Sequence, residues 1–313
     1  MPLWAVGPLE SAPMEPAAPE YDVTVVLPIF NEAGHLNEEI DRIQAAAAED
    51  DRSYEVLCID DGSTDGSREL LEARDDIRLI NLPNNRGSGH ARRIGTQLAK
   101  GRVVVWTDVD LTYPNDRIPW LVDQLEAGWD HVVGARSTEE GTHKFARVPA
   151  KWFIRKLASY LVDEKIPDLN SGFRAFRRRV ALPYLHLLPN GFSCVTTITL
   201  AFLANGHALG YVPIDYRERA GRSKFHWRKD TATYLLQVIR MIMQFNPLRV
   251  FLPIGGFLIL LAAGKLGFDI VDKNWRITTN AIVLTVVAFQ VVALGLLADL
   301  VARGTGRQPP PDL

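Results

Sequence analysis

The sequence predicts an α/β fold, a mostly parallel sheet flanked by helices, followed by a C-terminal transmembrane helical hairpin. Three observations carry this reading. Short runs of Val, Ile and Leu alternate with helical stretches from Tyr21 onward, the pattern of strands buried on both faces and joined by helical crossovers. Polar clusters follow those runs at once, where open parallel sheets bind their ligands. Two apolar runs near the C-terminus, Val250–Phe268 and Ala281–Ala298, approach the length needed to cross a bilayer.

In order, Val23–Ile29 is a β-branched run, and Ala33–Ala48 has helical spacing. A strand at Tyr54–Asp60, a helix after Asp65, a strand at Ile77–Asn81 and a helix at Ser88–Lys100 follow. Next come a strand at Val103–Thr107, a helix at Asp116–Glu126 and a strand within Trp129–Arg136. Beyond it the chain turns basic and less regular, with a helix expected over Val148–Val162, a segment Asp168–Arg179, an apolar helix Cys194–Asn205 and a strand near Leu209–Tyr216. In Asp230–Phe245, the residues Tyr234, Leu235, Val238, Ile242 and Phe245 share a helical face, with Arg228, Lys229 and Arg240 nearby. That composition suits a helix lying in a membrane interface, and equally an amphipathic surface helix.

The two apolar runs contain Pro253, Gly255, Gly256, Gly264 and Gly295, and a polar stretch Asp269–Asn280 joins them. Arg240 and Arg249 precede the pair and Arg303 and Arg307 follow it, so the positive-inside rule places both ends in the cytoplasm. Lys265 lies close enough to one end to snorkel.

The formal net charge of −2 conceals three different regions. Residues 1–130 carry 11 basic and 25 acidic side chains, residues 131–250 carry 19 and 8, and residues 251–313 carry 5 and 4. Two cysteines, Cys58 and Cys194, sit in apolar stretches, too few for a disulfide framework or a cysteine-based zinc site; both are expected to be buried thiols. The first 20 residues hold five prolines and neither Lys nor Arg. They lack the charged and apolar regions of a signal peptide and are expected to be a flexible lead-in.

Chemistry concentrates at strand ends. Asp108 and Asp110 close the apolar strand Val103–Trp106 one residue apart, so along an extended chain their carboxylates point the same way. Two such oxygens suit a hard divalent cation that also binds phosphate. Asp60 and Asp61 close another strand and precede the turn Gly62-Ser63-Thr64-Asp65-Gly66. One of Thr64 and Asp65 is expected to cap the next helix, and an aspartate to accept from a base or ribose. Asn84–Gly89 resembles a phosphate cradle but lacks the Gly-Lys-Ser/Thr of a P-loop, and reads as a structural turn with at most one donor contact. In the basic half, Arg174 and the stretch Arg222-Ser223-Lys224 lie beside Gly172 and Gly221, where backbone can approach a ligand.

Six segments in order carry a family resemblance: Val26–Glu32, Ile59–Gly66, Asp108–Pro114, Val133–Arg136, Asn170–Arg174 and Gly221–Phe225. Together with the hairpin they resemble family 2 glycosyltransferases of the dolichyl-phosphate mannose synthase and polyprenyl-phosphate glycosyltransferase type. The resemblance implies a GT-A fold, a nucleotide-diphosphate sugar as donor, Mg2+ or Mn2+ as cofactor, a polyprenyl phosphate lipid as acceptor and inversion at the anomeric carbon. It implies that Pro28, Phe30 and Glu32 border the nucleotide, that Asp60 or Asp61 touches base or ribose, and that Asp108 and Asp110 hold metal and diphosphate. Arg136, Arg174, Arg222 and Lys224 would neutralise donor or acceptor phosphates. Relatives that place a carboxylate just before the Phe-Arg pair differ here, where the residue is Gly172, and Asp168 is the weaker candidate for a base.

The organisation expected is a flexible segment 1–20, a glycosyltransferase domain 21–228, an interfacial helix 229–246, two transmembrane helices over 247–303 and a flexible tail 304–313. The expected product is a polyprenyl-phosphate hexose made at the cytoplasmic leaflet of the cell membrane, mannose from GDP-mannose first and glucose from UDP-glucose next. Nucleic acid is not an expected partner, and a homo-oligomer is permitted by the small residues of the hairpin. Two alternatives stay open: a processive polysaccharide synthase, and a membrane-tethered nucleotide-binding protein without turnover.

Overall fold

A computed structural model describes residues 19–136, 166–191, 193–217, 243, 247–272 and 277–306. The helix expected over Val148–Val162, Arg222 and Lys224, and nearly all of 229–246 lie outside the described residues.

Seven strands form one sheet: β1 Tyr21–Ile29, β2 Tyr54–Asp60, β3 Arg78–Asn81, β4 Gly101–Trp106, β5 His131–Arg136, β6 Arg174–Arg177 and β7 Leu209–Ile214. Their order is β3-β2-β1-β4-β6-β5-β7. β1 pairs in parallel with β2 and β4, β2 with β3, and β5 with β7, while β6 runs antiparallel to both β4 and β5. The reversed strand comes from the segment Asp168–Arg179, whose pattern had left its structure open.

Helices α1 Leu36–Ala48, α2 Ser67–Glu72, α3 Ser88–Leu98, α4 Ile118–Glu126 and α5 Cys194–Ala204 connect or cover the strands. The alternation of β1 explains why the sheet is dressed on both sides. Val23, Val25, Leu27 and Ile29 join Leu36, Ile40 and Ile43 of α1 and Leu121, Val122 and Leu125 of α4 in one core. Val26 faces the other, with Leu57, Ile59, Val104, Trp106, Phe176, Ile198 and Phe202. Successive strand residues point to opposite faces, so a strand between two helical layers has to be apolar throughout. Trp106 anchors the second core edge-on to Phe176, ring centroids 5.0 Å apart, and its indole Nε1–H donates to Thr96 Oγ1 at 2.9 Å. Both cysteines are buried as expected.

The two C-terminal runs form helices α6 Leu248–Asp272 and α7 Thr279–Gly306, both long and apolar enough to cross a membrane. Only 11% and 17% of their apolar stretches are buried, unlike the core helix of a water-soluble protein. They meet where small residues allow it. A Cβ on Gly255 would stand 2.5 Å from Val292 Cγ2, and one on Gly295 would stand 2.5 Å from Phe251 Cβ. At the far end Lys265 Nζ donates to Asp269 Oδ1 at 2.7 Å, and Asp269 Oδ2 accepts from Thr278 N at 3.0 Å.

Candidate active site

Because β1 has β2 on one side and β4 on the other, the chain reverses its direction of winding between β1 and β4, and a crevice opens beyond their carboxyl ends. A cleft of about 270 Å³ lies there, lined by Pro28 near the end of β1, Phe30 and Glu32 just after it, Asp61 after β2, Asn85, Gly87 and Ser88 before and within α3, Asp108, Val109 and Asp110 after β4, and Gly191. Six residues expected from the sequence are thereby brought together: Pro28, Phe30, Glu32, Asp61, Asp108 and Asp110.

Side chains knit the loops under the cleft. Asn31, whose φ is 55°, donates its backbone N–H to Ser63 Oγ at 3.1 Å and accepts at Oδ1 from Thr64 N at 2.8 Å. Glu32 N donates to Ser67 Oγ at 3.0 Å. Asp65 accepts from Ser67 N at 3.1 Å and from Ala33 N at 3.1 Å, so it serves the first turn of α2, although the capping residue itself is Gly66. Asp61 accepts from the backbone N–H groups of Arg86 at 3.0 Å and Gly87 at 2.7 Å. Burial pushes its carboxyl up, and those two N–H donors pull it only part of the way back. Gly87 needs its φ of +100°, and a Cβ there would stand 2.5 Å from Asn190 O. The Asn84–Gly89 stretch is thus a turn as expected, yet three of its residues face the cleft.

Asp110 is 7% exposed and accepts from Thr112 Oγ1 at 2.5 Å and Thr112 N at 3.3 Å. Asp108 accepts from Arg92 Nη2 at 2.6 Å. Leu111, next to them, holds φ at 61°, a conformation that costs a bulky residue energy and recurs at functional sites. A buried amide supports the loop from below. Asn115 Nδ2 donates to Asp108 O at 3.0 Å and to Glu39 Oε1 at 2.7 Å, while its Oδ1 accepts from Thr107 Oγ1 at 2.5 Å. Arg42 of α1 adds a bond to Tyr113 O at 3.3 Å and an ion pair to Asp116.

Three expectations are corrected or narrowed. Asp60 is fully buried, accepts from Arg68 Nε at 2.8 Å and Nη2 at 2.6 Å and from Ser63 N at 3.0 Å, and does not line the cleft; of the two neighbours it is Asp61 that reaches it. Arg174, expected at a phosphate, is fully buried. Its guanidinium donates to Ser171 O, to Val195 O at 2.7 Å and to Thr199 Oγ1 at 2.9 Å, and burial lowers its pKa to about 10. It packs the sheet against α5 rather than facing a ligand. Arg136 at the end of β5 is held by Asp168, Nε to Oδ2 at 2.7 Å and Nη2 to Oδ1 at 2.9 Å, and lies over the Tyr216 ring 5.2 Å from its centroid. Burial alone would raise the Asp168 carboxyl, but the Arg136 contacts outweigh it and leave the group below its ordinary value. Both oxygens of Asp168 are thereby engaged with Arg136.

The sequence reading missed Glu39, Arg92 and Asn115. The only signal for Arg92 is spacing: Gly89, Arg92, Thr96 and Ala99 fall on one helical face, and the other three of these are buried.

Among the described residues no group of three or more His, Cys, Asp or Glu side chains gathers for a metal. The pair Asp108 and Asp110 nevertheless fits a hard divalent ion of the Mg2+ or Mn2+ kind, which takes oxygen ligands and keeps places for water and phosphate.

The fold and cleft thus define an α/β protein with a cleft at the topological switch point of its sheet, between paired carboxylates and glycine-containing turns. A model of glycosyl transferase family 2 matches residues 24–183, and one of the GtrB C-terminal hairpin matches residues 246–303. The chain belongs to glycosyl transferase family 2. Similar proteins include the undecaprenyl-phosphate 4-deoxy-4-formamido-L-arabinose transferases of Aeromonas hydrophila, 30% identical with 90% of this chain and 88% of that one covered, and of Pectobacterium carotovorum, 31% identical with the same coverage. Among solved structures, glucosyl-3-phosphoglycerate synthase from Mycobacterium tuberculosis with phosphoglyceric acid superposes at TM-score 0.58 and 20% identity. Its complex with Mn2+, uridine-diphosphate-glucose and phosphoglyceric acid gives 0.57 and 22%; each covers 71% of this chain and 80% of that one. At this identity the likeness shows the GT-A fold and no more.

Proposed function

We propose that this protein transfers a sugar from a nucleoside-diphosphate donor to a polyprenyl phosphate, with inversion, at the cytoplasmic face of a membrane that α6 and α7 span. One observation carries the reading: the cleft bearing Asp108 and Asp110 belongs to a family 2 glycosyltransferase joined to a GtrB-type hairpin. The curated relatives are named as acting on undecaprenyl phosphate, which makes a long polyprenyl phosphate the first acceptor to test. Mannose, glucose and a 4-deoxy-4-formamido pentose are the donor sugars to compare.

Asp108 and Asp110 would hold a divalent cation, which when bound supplies positive charge beside the departing nucleoside diphosphate. Pro28, Phe30 and Glu32 would border the nucleotide, and Asp61, pinned by Arg86 and Gly87, would fix the turn beneath its base or ribose. A polyprenyl phosphate is anionic at neutral pH, so an acceptor oxygen attacks the anomeric carbon without first losing a proton to the protein. The protein's contribution is then alignment and charge placement. Arg136, at the end of a strand parallel to those that frame the cleft, would be a candidate to meet a phosphate, with Arg222 and Lys224 as further candidates.

Membranes containing the protein, given labelled GDP-mannose, UDP-glucose and a UDP-formamido-pentose with and without divalent cation, would be extracted for lipid. Label in a mild-acid-labile lipid that depends on the cation is the expected result. Label in polymer would establish the synthase instead, and nucleotide binding without product would establish the silent protein.

A further inference from the structure

We propose that Arg92 is a positioning residue for Asp108: a buried cation that fixes how this carboxylate faces the cleft, with the backbone of Gly172 as the opposite wall. The inference rests on the proposed role of Asp108 and Asp110 and assigns a function to a residue that does not itself line the cleft.

The side chain of Arg92 is 3% exposed while that of its partner Asp108 is 34% exposed, so the pair joins the core to the cleft. The guanidinium lies 5.7 Å from the Trp106 ring centroid, and Trp106 is in turn tied to the backbone of Arg92 through Thr96, whose Oγ1 donates to Arg92 O at 2.8 Å. Arg92 Nε is buried without a hydrogen-bond partner among the described residues. A buried cation of this kind is costly unless paired, and the pairing here is spent on a carboxylate at the mouth of the cleft rather than on one inside the core.

The other side of the pair is closed by backbone. A Cβ on Gly172 would stand 2.9 Å from Asp108 Oδ2, 3.2 Å from Arg92 Nη2 and 3.3 Å from Tyr113 Cε2. Gly172 is itself fixed, its N–H donating to Tyr113 Oη at 2.7 Å. Asp108 is therefore held on three sides: through Oδ1 by Arg92, against Oδ2 by Gly172, and at its backbone carbonyl by Asn115. Asp110 accepts from Thr112 Oγ1 at 2.5 Å and from Thr112 N at 3.3 Å. The Arg92 guanidinium thus offsets the charge of Asp108 and fixes the direction of its carboxylate. Groups that orient a ligand in this way typically change metal affinity or activity 10–100-fold when removed.

The test uses the full chain in lipid nanodiscs, titrated with Mn2+ alone and with Mn2+ plus UDP, the free ion being read by electron paramagnetic resonance. Asp110→Asn first establishes whether the carboxylate pair binds the ion at all; unchanged binding there would refute the proposed function and not this inference. Given loss in Asp110→Asn, Arg92→Met is expected to weaken Mn2+ binding by about 10-fold or more, and Arg92→Lys, which keeps the charge but not the fork, to recover part of it. Since Arg92→Met removes a buried group and could fail to fold, Gly172→Ala is the second arm. Its methyl would meet Asp108 Oδ2 first, at 2.9 Å, the end of a side chain that can turn toward the cleft, so Asp108 is displaced, and weaker Mn2+ binding with a smaller loss of Tm than in Arg92→Met is expected. Wild-type titrations in folded Arg92→Met, or in Gly172→Ala, would overturn the inference.

Discussion

A carboxylate that serves chemistry and one that serves packing differ in what their loss costs. In Asp110→Asn the new amide oxygen still accepts from Thr112, so the loop persists, but one negative charge leaves the cleft. Lipid-linked sugar formation is expected to fall at least about 100-fold, close to 3 kcal/mol of transition-state stabilisation, with Tm nearly unchanged; activity within a few-fold of wild type would remove Asp110 from the site. Glu39 is the opposite case. It is fully buried, its Oε1 accepts from Asn115, and its Oε2 has no partner among the described residues. Burial raises its carboxyl above the ordinary 4.5, Asn115 and Arg42 counter this only in part, and Asp110 adds to it. A raised folded-state value means that its stabilising contribution is present below 4.5 and lost as pH rises through the folded value. Glu39→Gln keeps an acceptor for Asn115 and cannot ionise, so its Tm relative to wild type should be higher at about pH 8 than at about pH 4; thermal melts at both values check the sign. The sequence exposed Asp108 and Asp110 because they directly follow a buried strand, a local signal. It misplaced Arg174 because Gly172-Phe173-Arg174 reads the same whichever face of β6 the guanidinium takes. Alternation puts Phe173 and Ala175 in the core with β1, and Arg174 and Phe176 on the α5 side.

Of the elements, α3 decides the site, since it carries Ser88 at the cleft and Arg92 beneath it. It sits close to the sheet because Gly95 has no side chain: a Cβ there would collide with Val26 and approach Ile59 Cγ1 to 3.4 Å. Alanine is the better helix former by about 1 kcal/mol, yet overpacking a filled core costs about 1–3 kcal/mol. The second effect wins, so Gly95→Ala is expected to lower stability in denaturant melts and, by tilting α3, to weaken donor binding as well. Gly256→Ala, which meets nothing within 4 Å, should leave the melt unchanged. The apolar runs made β1, β2 and β4 legible, since both their faces had to be covered. β6 was not legible. Its four residues Arg174–Arg177 begin and end with arginine, and its reversed pairing with β4 depends on a partner some seventy residues away, which no local pattern encodes.

For the whole molecule, the near-neutral charge is an average over an acidic sheet half, a basic stretch and an apolar hairpin, and this division has a testable geometric consequence. If strand-end carboxylates bind the donor while the acceptor phosphate sits at the bilayer surface, the cleft and both ends of the hairpin must share one side of the membrane, and the short connection between α6 and α7 must lie on the other. The chain's own chemistry makes this simple to test. Cys58 and Cys194 are both fully buried, and burial raises both thiols, so the natural chain should be nearly silent to a membrane-impermeant maleimide. Single cysteines can therefore be added without removing any: Glu49→Cys in the catalytic half, Asp272→Cys at the end of α6 and Gly304→Cys near the end of α7, all exposed positions. In right-side-out vesicles Asp272→Cys should label from outside, while Glu49→Cys and Gly304→Cys should label only after lysis. Inverted vesicles should give the reverse. Labelling of all three from the same side would mean that the hairpin does not cross the bilayer and that the apolar faces of α6 and α7 are covered some other way.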